Sequence, residues 1–154
     1  MKLRSRKGLA FLFRHATAIT ALLAITGCSA IPSTTERIID DSGGQIGSYL
    51  TKFDTLRKTR QQVVIDGTCA SACTLVVDKI PRDRICVTQR AVLAFHAAWS
   101  PSPYGAQLNK PGTRYLWSHY PADVRHWIAR HGGLRSETIN LSGRELAAMF
   151  PICK

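Results

Sequence analysis

The stretch VVIDGTCASACTLVV, residues 63–77, sets one serine between small residues where two apolar runs meet. Val63-Val64-Ile65 is typical of a buried strand that Asp66-Gly67 closes, and Ala70–Val77 is apolar enough to begin a helix. Ser71 is therefore predicted to lie on a sharp strand-to-helix turn, where its hydroxyl is exposed beside backbone N–H groups. A serine in such a turn is a candidate nucleophile, although an N-cap or a packing role is the commoner use of this residue.

Strands and helices alternate on both sides of this turn. A brief strand at 37–40 ends at Ser42-Gly43-Gly44, and Gln45–Lys58 has apolar residues at spacings of three and four, which indicates a helix. Alternation of this kind predicts an α/β domain with a mainly parallel sheet and flanking helices. The remaining predicted elements are strands at 85–88 and 91–95, a loop at 100–112, a helix from Tyr120 that Gly132-Gly133 stops, and a short helix at 143–149.

The N-terminal region has the pattern of a bacterial export signal. Five Lys and Arg residues and no acid precede or flank the apolar run ATAITALLAITG, which is shorter than the roughly 20 residues that a membrane-spanning helix needs. Ile25-Thr26-Gly27-Cys28 resembles the lipobox of bacterial lipoproteins, in which lipid is attached to the cysteine and the chain is cut before it. Ordinary signal cleavage near Cys28-Ser29-Ala30 is the alternative.

These features divide the chain into a lipoprotein-type export signal at 1–27, a linker at 28–36 and a domain at 37–154. Lipid at Cys28 would hold the domain on a membrane in the periplasm, and Ser29, in place of an Asp, favours the outer membrane. Removal of the signal leaves 16 Lys and Arg against 10 Asp and Glu, which lowers the net charge from +11 to +6. The remaining cations are scattered, so nucleic acid is not expected as a partner.

Four cysteines remain once the lipobox cysteine is set aside. An even number in an exported chain predicts two disulfides, with three possible connectivities. We expect Cys69 to pair with Cys153 and Cys73 with Cys86, because this pairing would staple both sides of the serine turn to later elements. The C-x-x-x-C spacing is a poor match for a metal site, and neither a metal nor a cofactor is expected. Redox chemistry at Cys69 and Cys73 is a weaker alternative.

A serine nucleophile needs a base and groups that stabilise an oxyanion. The alanines on either side of Ser71 leave room for a substrate, and the glycine pair Gly43-Gly44 offers further backbone N–H groups. His96, at the end of a predicted strand, is a candidate base. Trp99 and Tyr104 follow it in a predicted loop and are candidates to line a substrate cleft.

The order and spacing of Ser42-Gly43-Gly44, Gly67-x-x-x-Ser71 and His96 resemble the proteolytic subunit of Clp proteases. The stretches GTCASACT, RICVT, FHAA and YPADVRHWIARHGGL look more closely like the exported Clp-protease-like proteins of alphaproteobacteria, within the ClpP/crotonase superfamily. The resemblance spans residues 38–153 and implies a truncated ClpP/crotonase-like fold. It also implies a serine peptidase in which Ser71 is the nucleophile, His96 the general base, and the backbone around Gly43, Gly44 and Ala72 the oxyanion hole.

The resemblance leaves the triad acid open. The family's spacing lands on Glu145, in SGRELAAM, where an Asp is usual, and Asp123 is the alternative. Peptides or unfolded protein segments are the implied substrates. An ATP-driven unfoldase partner is not expected, because the periplasm lacks ATP, and oligomerisation stays open. A different class of function, a catalytically inactive envelope lipoprotein that serves as a binding or scaffold module on the same fold, is the alternative.

Overall fold

A computed structural model describes residues 34–154. The predicted export signal, the lipidation site at Cys28 and most of the predicted linker lie outside the described residues. Within 34–154, no helix is long and apolar enough to cross a membrane. The elements are β1 (Thr35–Asp41), α1 (Ile46–Lys58), β2 (Gln62–Ala70), a 3-10 turn (Ser71–Leu75), α2 (Val76–Lys79), a second 3-10 turn (Arg82–Arg84), β3 (Ile85–Val87), β4 (Val92–Phe95), β5 (Trp99–Ser102), β6 (Gly105–Leu108), α3 (Lys110–His119), α4 (Ala122–Arg130), β7 (Ile139–Ser142) and α5 (Gly143–Ala147).

A five-stranded sheet forms the centre of the domain. Strand β2 pairs in parallel with β1 along one edge, and along the other edge its first half pairs in parallel with β3 and its second half with β4. Strand β7 pairs antiparallel with β4, and β5 and β6 form a separate antiparallel hairpin. The predicted α/β domain with a mainly parallel sheet and flanking helices is confirmed.

The core lies between this sheet and the helices. Strands β2 and β4 are buried along most of their length, as is typical of parallel strands with both faces covered. Helix α1 buries Phe53 and Leu56, and α4 buries Val124, Trp127 and Ile128. Each helix thus turns one apolar face inward, at the spacing of three and four that the sequence shows.

Strand β2 is longer than predicted, because Asp66-Gly67 forms a bulge and does not end the strand. The β1–β2 pairing shifts between Ile38 and Asp40, and β2 continues to Ala70. A Cβ on Gly67 would lie 1.5 Å from the carbonyl oxygen of Ile39, so only glycine fits where the two strands approach. Because of the bulge, β2 continues to Ala70, the residue before Ser71.

The largest difference from the predicted elements lies in the segment 99–119. The predicted loop at 100–112 contains the β5–β6 hairpin and the start of α3. Asn109 caps α3 by accepting a hydrogen bond from the Gly112 amide at 2.8 Å, and Pro111 occupies the first turn, where a missing N–H is tolerated. The proline and glycine that predict a loop therefore begin a helix.

Smaller corrections concern the element bounds. Strand β1 begins at Thr35, inside the predicted linker, because it pairs with β2 from Gln62 onward. The helix predicted at 70–77 is a 3-10 turn followed by the short α2, and β7 was not predicted. The last predicted helix is shorter than expected and ends at Ala147.

The disulfides join other pairs of cysteines than the expected ones. Cys69 is bonded to Cys73 across the strand-to-turn junction, with the two Cα atoms 5.3 Å apart. Cys86 on β3 is bonded to Cys153, because the C-terminal segment runs beside β3 and forms a bridge with it at Val87. The expected pairing of Cys69 with Cys153 and Cys73 with Cys86 is therefore wrong, whereas the involvement of all four cysteines in two disulfides is confirmed.

Candidate active site

Ser71 lies on the sharp turn that the sequence predicts. Strand β2 ends at Ala70, and Ser71 adopts a φ of 56°, in the left-handed region that residues with a side chain rarely occupy. Gly43 packs directly on this turn: a Cβ there would lie 2.6 Å from Ser71 Cβ and 2.5 Å from the carbonyl oxygen of Ala70. Gly43 itself has a φ of 81°. The glycine is therefore required both by its own backbone and by its contact with Ser71.

The turn that holds Gly43 is fixed by Asp41, a residue that no local sequence pattern marks. The Asp41 carboxylate accepts hydrogen bonds from the Gly43 amide, at 2.9 Å, and from the Tyr49 hydroxyl. Burial and this hydrogen bond raise the pKa of Tyr49 to about 12, so the phenol stays a donor at neutral pH. Since the Gly43 amide donates to Asp41, the amides of Gly44 and Ala72 are the better candidates for an oxyanion hole.

His96 follows the last residue of β4, next to the end of β2. The parallel pairing of β2 with β4 ends with Ala70 opposite Ala94, so Ser71 and His96 leave the sheet at the same edge. His96 Nδ1 lies 2.7 Å from the carbonyl oxygen of Ala97. A carbonyl oxygen only accepts, which assigns the ring proton to Nδ1 and leaves Nε2 as a proton acceptor.

Ser71 and His96 line one cleft, here called the Ser71–His96 cleft, with a volume of about 870 Å³. The Ser42-Gly43-Gly44 turn forms one side of it. Trp99 lines the cleft, as expected, whereas Tyr104 lies at the hairpin tip with 92% of its surface exposed and does not. The residues that line the cleft include no acidic side chain and no basic side chain other than the imidazole of His96: Ser42, Gly43, Gly44, Gln45, Ile46, Ser71, His96, Ala98, Trp99, Ser100, Pro101, Asn109 and Leu116.

Neither acid predicted for a triad lines this cleft. Strand β7 is antiparallel to β4, so it begins beside Phe95 and ends at the end of β4 away from His96. Glu145 follows β7 on α5 and is exposed, at that distant end. Asp123 accepts a hydrogen bond from Arg82 Nη1 at 2.7 Å, and this ion pair lowers the pKa of the Asp123 carboxyl. The topology thus separates Glu145 from His96 and gives Asp123 a different partner.

The same topology brings the backbone before β7 beside His96. The start of β7 pairs with the end of β4, and the Ala97 amide donates to the carbonyl oxygen of Arg135 at 2.6 Å. The segment just before β7 therefore runs beside His96. It contains Glu137, an exposed residue whose pKa is lowered, mainly by the hydrogen bond from its own backbone amide. The antiparallel pairing that places this segment beside His96 leaves no local signal in the sequence.

The arrangement is suited to acyl transfer. A serine hydroxyl on a strained turn, a histidine with a free Nε2 and backbone amides beside them are the parts that attack at a carbonyl carbon requires. Within residues 34–154, no group of three or more His, Cys, Asp or Glu side chains is arranged to hold a metal ion.

Comparisons with known proteins find similarity among solved structures. No protein-family model matches the chain, and no curated protein matches it. Among solved structures, a ClpP1 mutant from Listeria monocytogenes is similar, with a TM-score of 0.45 and 13% sequence identity over 78% of this chain and 72% of the other.

Proposed function

We propose that this protein is an exported serine hydrolase of the Clp-protease-like type, which cuts peptides or unfolded protein segments. One observation carries the proposal: Ser71 is held at a φ of 56° against Gly43, in the same cleft as His96. Backbone strain in a residue with a side chain persists only where the surroundings enforce it, and such residues cluster at functional sites. An N-cap or a packing role for Ser71 requires no such strain.

The chemistry follows from the atoms in the cleft. Ser71 Oγ attacks the carbonyl carbon of the substrate while His96 Nε2 takes its proton, and the carbonyl oxygen becomes an oxyanion that the amides of Gly44 and Ala72 bind. His96 then gives the proton to the leaving nitrogen, and the C–N bond breaks. Water attacks the resulting ester and loses a proton to Nε2. The bond between the acyl carbon and Ser71 Oγ then breaks as Nε2 returns this proton to Oγ, which releases the acid and regenerates Ser71 and His96.

The Ala97 carbonyl takes the orienting role that a carboxylate has in a triad. Its oxygen accepts a hydrogen bond from His96 Nδ1, with the two atoms 2.7 Å apart. This bond fixes the tautomer in which Nε2 carries no proton. A neutral carbonyl stabilises a protonated imidazole less than a carboxylate does, so we expect a slower enzyme than one with a complete triad. The proposed catalytic machinery is therefore Ser71, His96 and the backbone around them.

The test is covalent labelling of the purified protein by a fluorophosphonate, followed by intact-protein mass spectrometry. We expect one adduct on the wild type and none on Ser71→Ala or His96→Ala. Ser100→Ala is the matched control, because Ser100 lines the same cleft and should leave labelling unchanged. A folded wild type without an adduct, or an adduct that persists on Ser71→Ala, would overturn the proposal.

A second candidate function is a catalytically inactive binding or scaffold module, and the β5–β6 hairpin favours it. Trp99 pairs with Leu108 and Pro101 with Ala106, which places four apolar residues on one face, and all four are exposed. Exposed apolar faces mark sites of interaction. This function predicts crosslinking to a protein partner that Ser71→Ala retains and that Trp99→Ser with Leu108→Ser loses.

Export and lipid anchoring at Cys28 belong to the same proposal. The two disulfides support it, because structural disulfides persist in oxidising compartments such as the periplasm. We expect labelled palmitate to be incorporated into the protein in a bacterial cell and Cys28→Ala to abolish the incorporation. An unlipidated wild type cleaved near Cys28-Ser29-Ala30 would favour an ordinary signal.

A further inference from the structure

A buried hydroxyl holds the carbonyl group of the candidate nucleophile. Thr74 Oγ1 donates a hydrogen bond to the carbonyl oxygen of Ser71 at 2.6 Å. Thr74 is fully buried and is one of two buried polar residues in the described part of the chain. Since a carbonyl oxygen only accepts, the single hydroxyl proton of Thr74 is committed to Ser71.

Tyr120 fixes that hydroxyl from the other side. Its phenol oxygen lies 2.7 Å from Thr74 Oγ1, and because the Thr74 proton points at Ser71, the phenol is the donor. Tyr120 is 1% exposed, and burial raises the pKa of its phenol, which therefore keeps its proton at working pH. Its ring also packs edge-on against Phe95, the residue before His96, with the centroids 5.2 Å apart.

The two hydrogen bonds act on the next amide through the rigid peptide unit. The six atoms from Ser71 Cα to Ala72 Cα are nearly coplanar, with the C=O and N–H groups pointing in opposite directions. Fixing the direction of the Ser71 carbonyl therefore also fixes the direction of the Ala72 N–H, which is one of the two amides assigned to the oxyanion hole. The hydroxyl bond adds to the backbone hydrogen bond that this carbonyl accepts within the 3-10 turn Ser71–Leu75, and together they restrict rotation of the peptide plane at the strained Ser71.

We propose that Thr74 and Tyr120 are positioning residues that aim the Ala72 amide into the Ser71–His96 cleft. The proposal rests on the proposed hydrolase function, because an oxyanion forms only if Ser71 attacks. Neither side chain lines the cleft in which a substrate would bind. Their contribution is to the orientation of the peptide group between Ser71 and Ala72, and through Phe95 the same tyrosine supports the end of β4.

The test measures how the rate of fluorophosphonate labelling depends on the concentration of the reagent. This dependence gives a maximal rate and a half-saturating concentration. Thr74→Val keeps the shape of the side chain and removes the hydroxyl, whereas Thr74→Ser keeps the hydroxyl. We expect Thr74→Val to lower the maximal rate at least tenfold, with the half-saturating concentration unchanged, and Thr74→Ser to restore it to within about threefold. Tyr120→Phe, which leaves the Thr74 bond in place, should lower the rate less than Thr74→Val.

A pH profile separates positioning from a general loss of structure. Because His96 and its Ala97 partner are untouched, the labelling of Tyr120→Phe should fall at every pH with no change in the midpoint of the profile. A tenfold loss that Thr74→Ser does not repair, or wild-type labelling in a folded Thr74→Val protein, would overturn the proposal. If Thr74→Val does not fold, Thr74→Ser and Tyr120→Phe are compared with the wild type. Equal labelling rates in all three proteins would also overturn the proposal.

A second readout does not depend on catalysis. The ¹⁵N–¹H resonance of the Ala72 amide should shift in Thr74→Val and Tyr120→Phe and stay in place in Thr74→Ser. If the wild-type protein does not label, a shift of the Ala72 resonance in Thr74→Val and Tyr120→Phe would support the positioning role while the hydrolase is refuted. An unmoved resonance in both hydroxyl-deletion variants would refute the positioning role whatever the labelling shows.

Discussion

The disulfides Cys69–Cys73 and Cys86–Cys153 cross-link two regions in which a covalent bond has different effects. The first spans a sequence separation of 4 and encloses Ser71, and the second spans 67 and ties the C-terminal segment to β3. Loop-closure entropy assigns about 4 kcal/mol of stabilisation to the long loop and about 2 kcal/mol to the short one. From this comparison we expect the long bond mainly to stabilise the fold and the short bond mainly to hold the geometry of the turn at Ser71.

The largest effect is expected from removal of the long bond. Cys86→Ala with Cys153→Ala should lower the free energy of unfolding by about 4 kcal/mol, because the unfolded chain regains the freedom of a large loop. Urea unfolding of the purified protein measures this change in the free energy of unfolding. The fluorophosphonate labelling rate of the remaining folded protein should stay within about twofold of the wild type. A tenfold slower rate would show that the two regions are coupled.

Removal of the short bond should give the reverse result. Cys69→Ala with Cys73→Ala should lower the free energy of unfolding by only about 2 kcal/mol. The labelling rate should fall at least tenfold, because the bond holds the two ends of the turn on which Ser71 is strained. Both cysteines are fully buried, so alanine introduces no exposed surface. A variant that labels at the wild-type rate would contradict a local geometric role.

Acid should lower the stability of the fold through Asp66, a residue that lies outside the turn at Ser71. The Asp66 carboxylate is bonded to Arg90, Thr88 and Arg37, which hold its pKa well below the usual range. Because the folded-state pKa is depressed, the stabilisation is fully present above the ordinary Asp value of about 3.9 and is lost as the pH falls below it. The free energy of unfolding, measured between about pH 6 and pH 2.5, should show this loss. In Asp66→Asn it should depend less on pH over the same range.

The smallest effects are expected at the two acids that the sequence offers for a triad. Glu145→Gln should leave the labelling rate within about twofold of the wild type, because Glu145 follows the end of β7 farthest from His96. Asp123→Asn should cost at most about 1 kcal/mol of stability, since water reaches both side chains of its ion pair with Arg82, which are 42% and 39% exposed. A labelling rate reduced a hundredfold in Glu145→Gln would restore it as the triad acid.

Local patterns predicted the parts of this molecule whose structure depends on neighbouring residues. The spacing of apolar residues predicted α1, and the segment around Ser71 predicted the strand-to-helix turn. The same patterns failed where a distant contact decides. Gly67 does not end β2, because its missing side chain makes room for Ile39 of β1, and the proline and glycine at the start of α3 are accommodated by the Asn109 cap.

The sequence by itself determined the alternation of strands and helices, the place of Ser71 and His96 at strand ends, and the number of disulfides. Only the tertiary structure decided which cysteines pair, that Glu145 lies far from His96, and that Tyr120 forms a hydrogen bond with Thr74, which in turn is bonded to Ser71. The physical reason is the range of the interactions. Periodicity and turn chemistry act over a few residues, whereas the order and direction of strands in a sheet bring together residues that no local pattern connects.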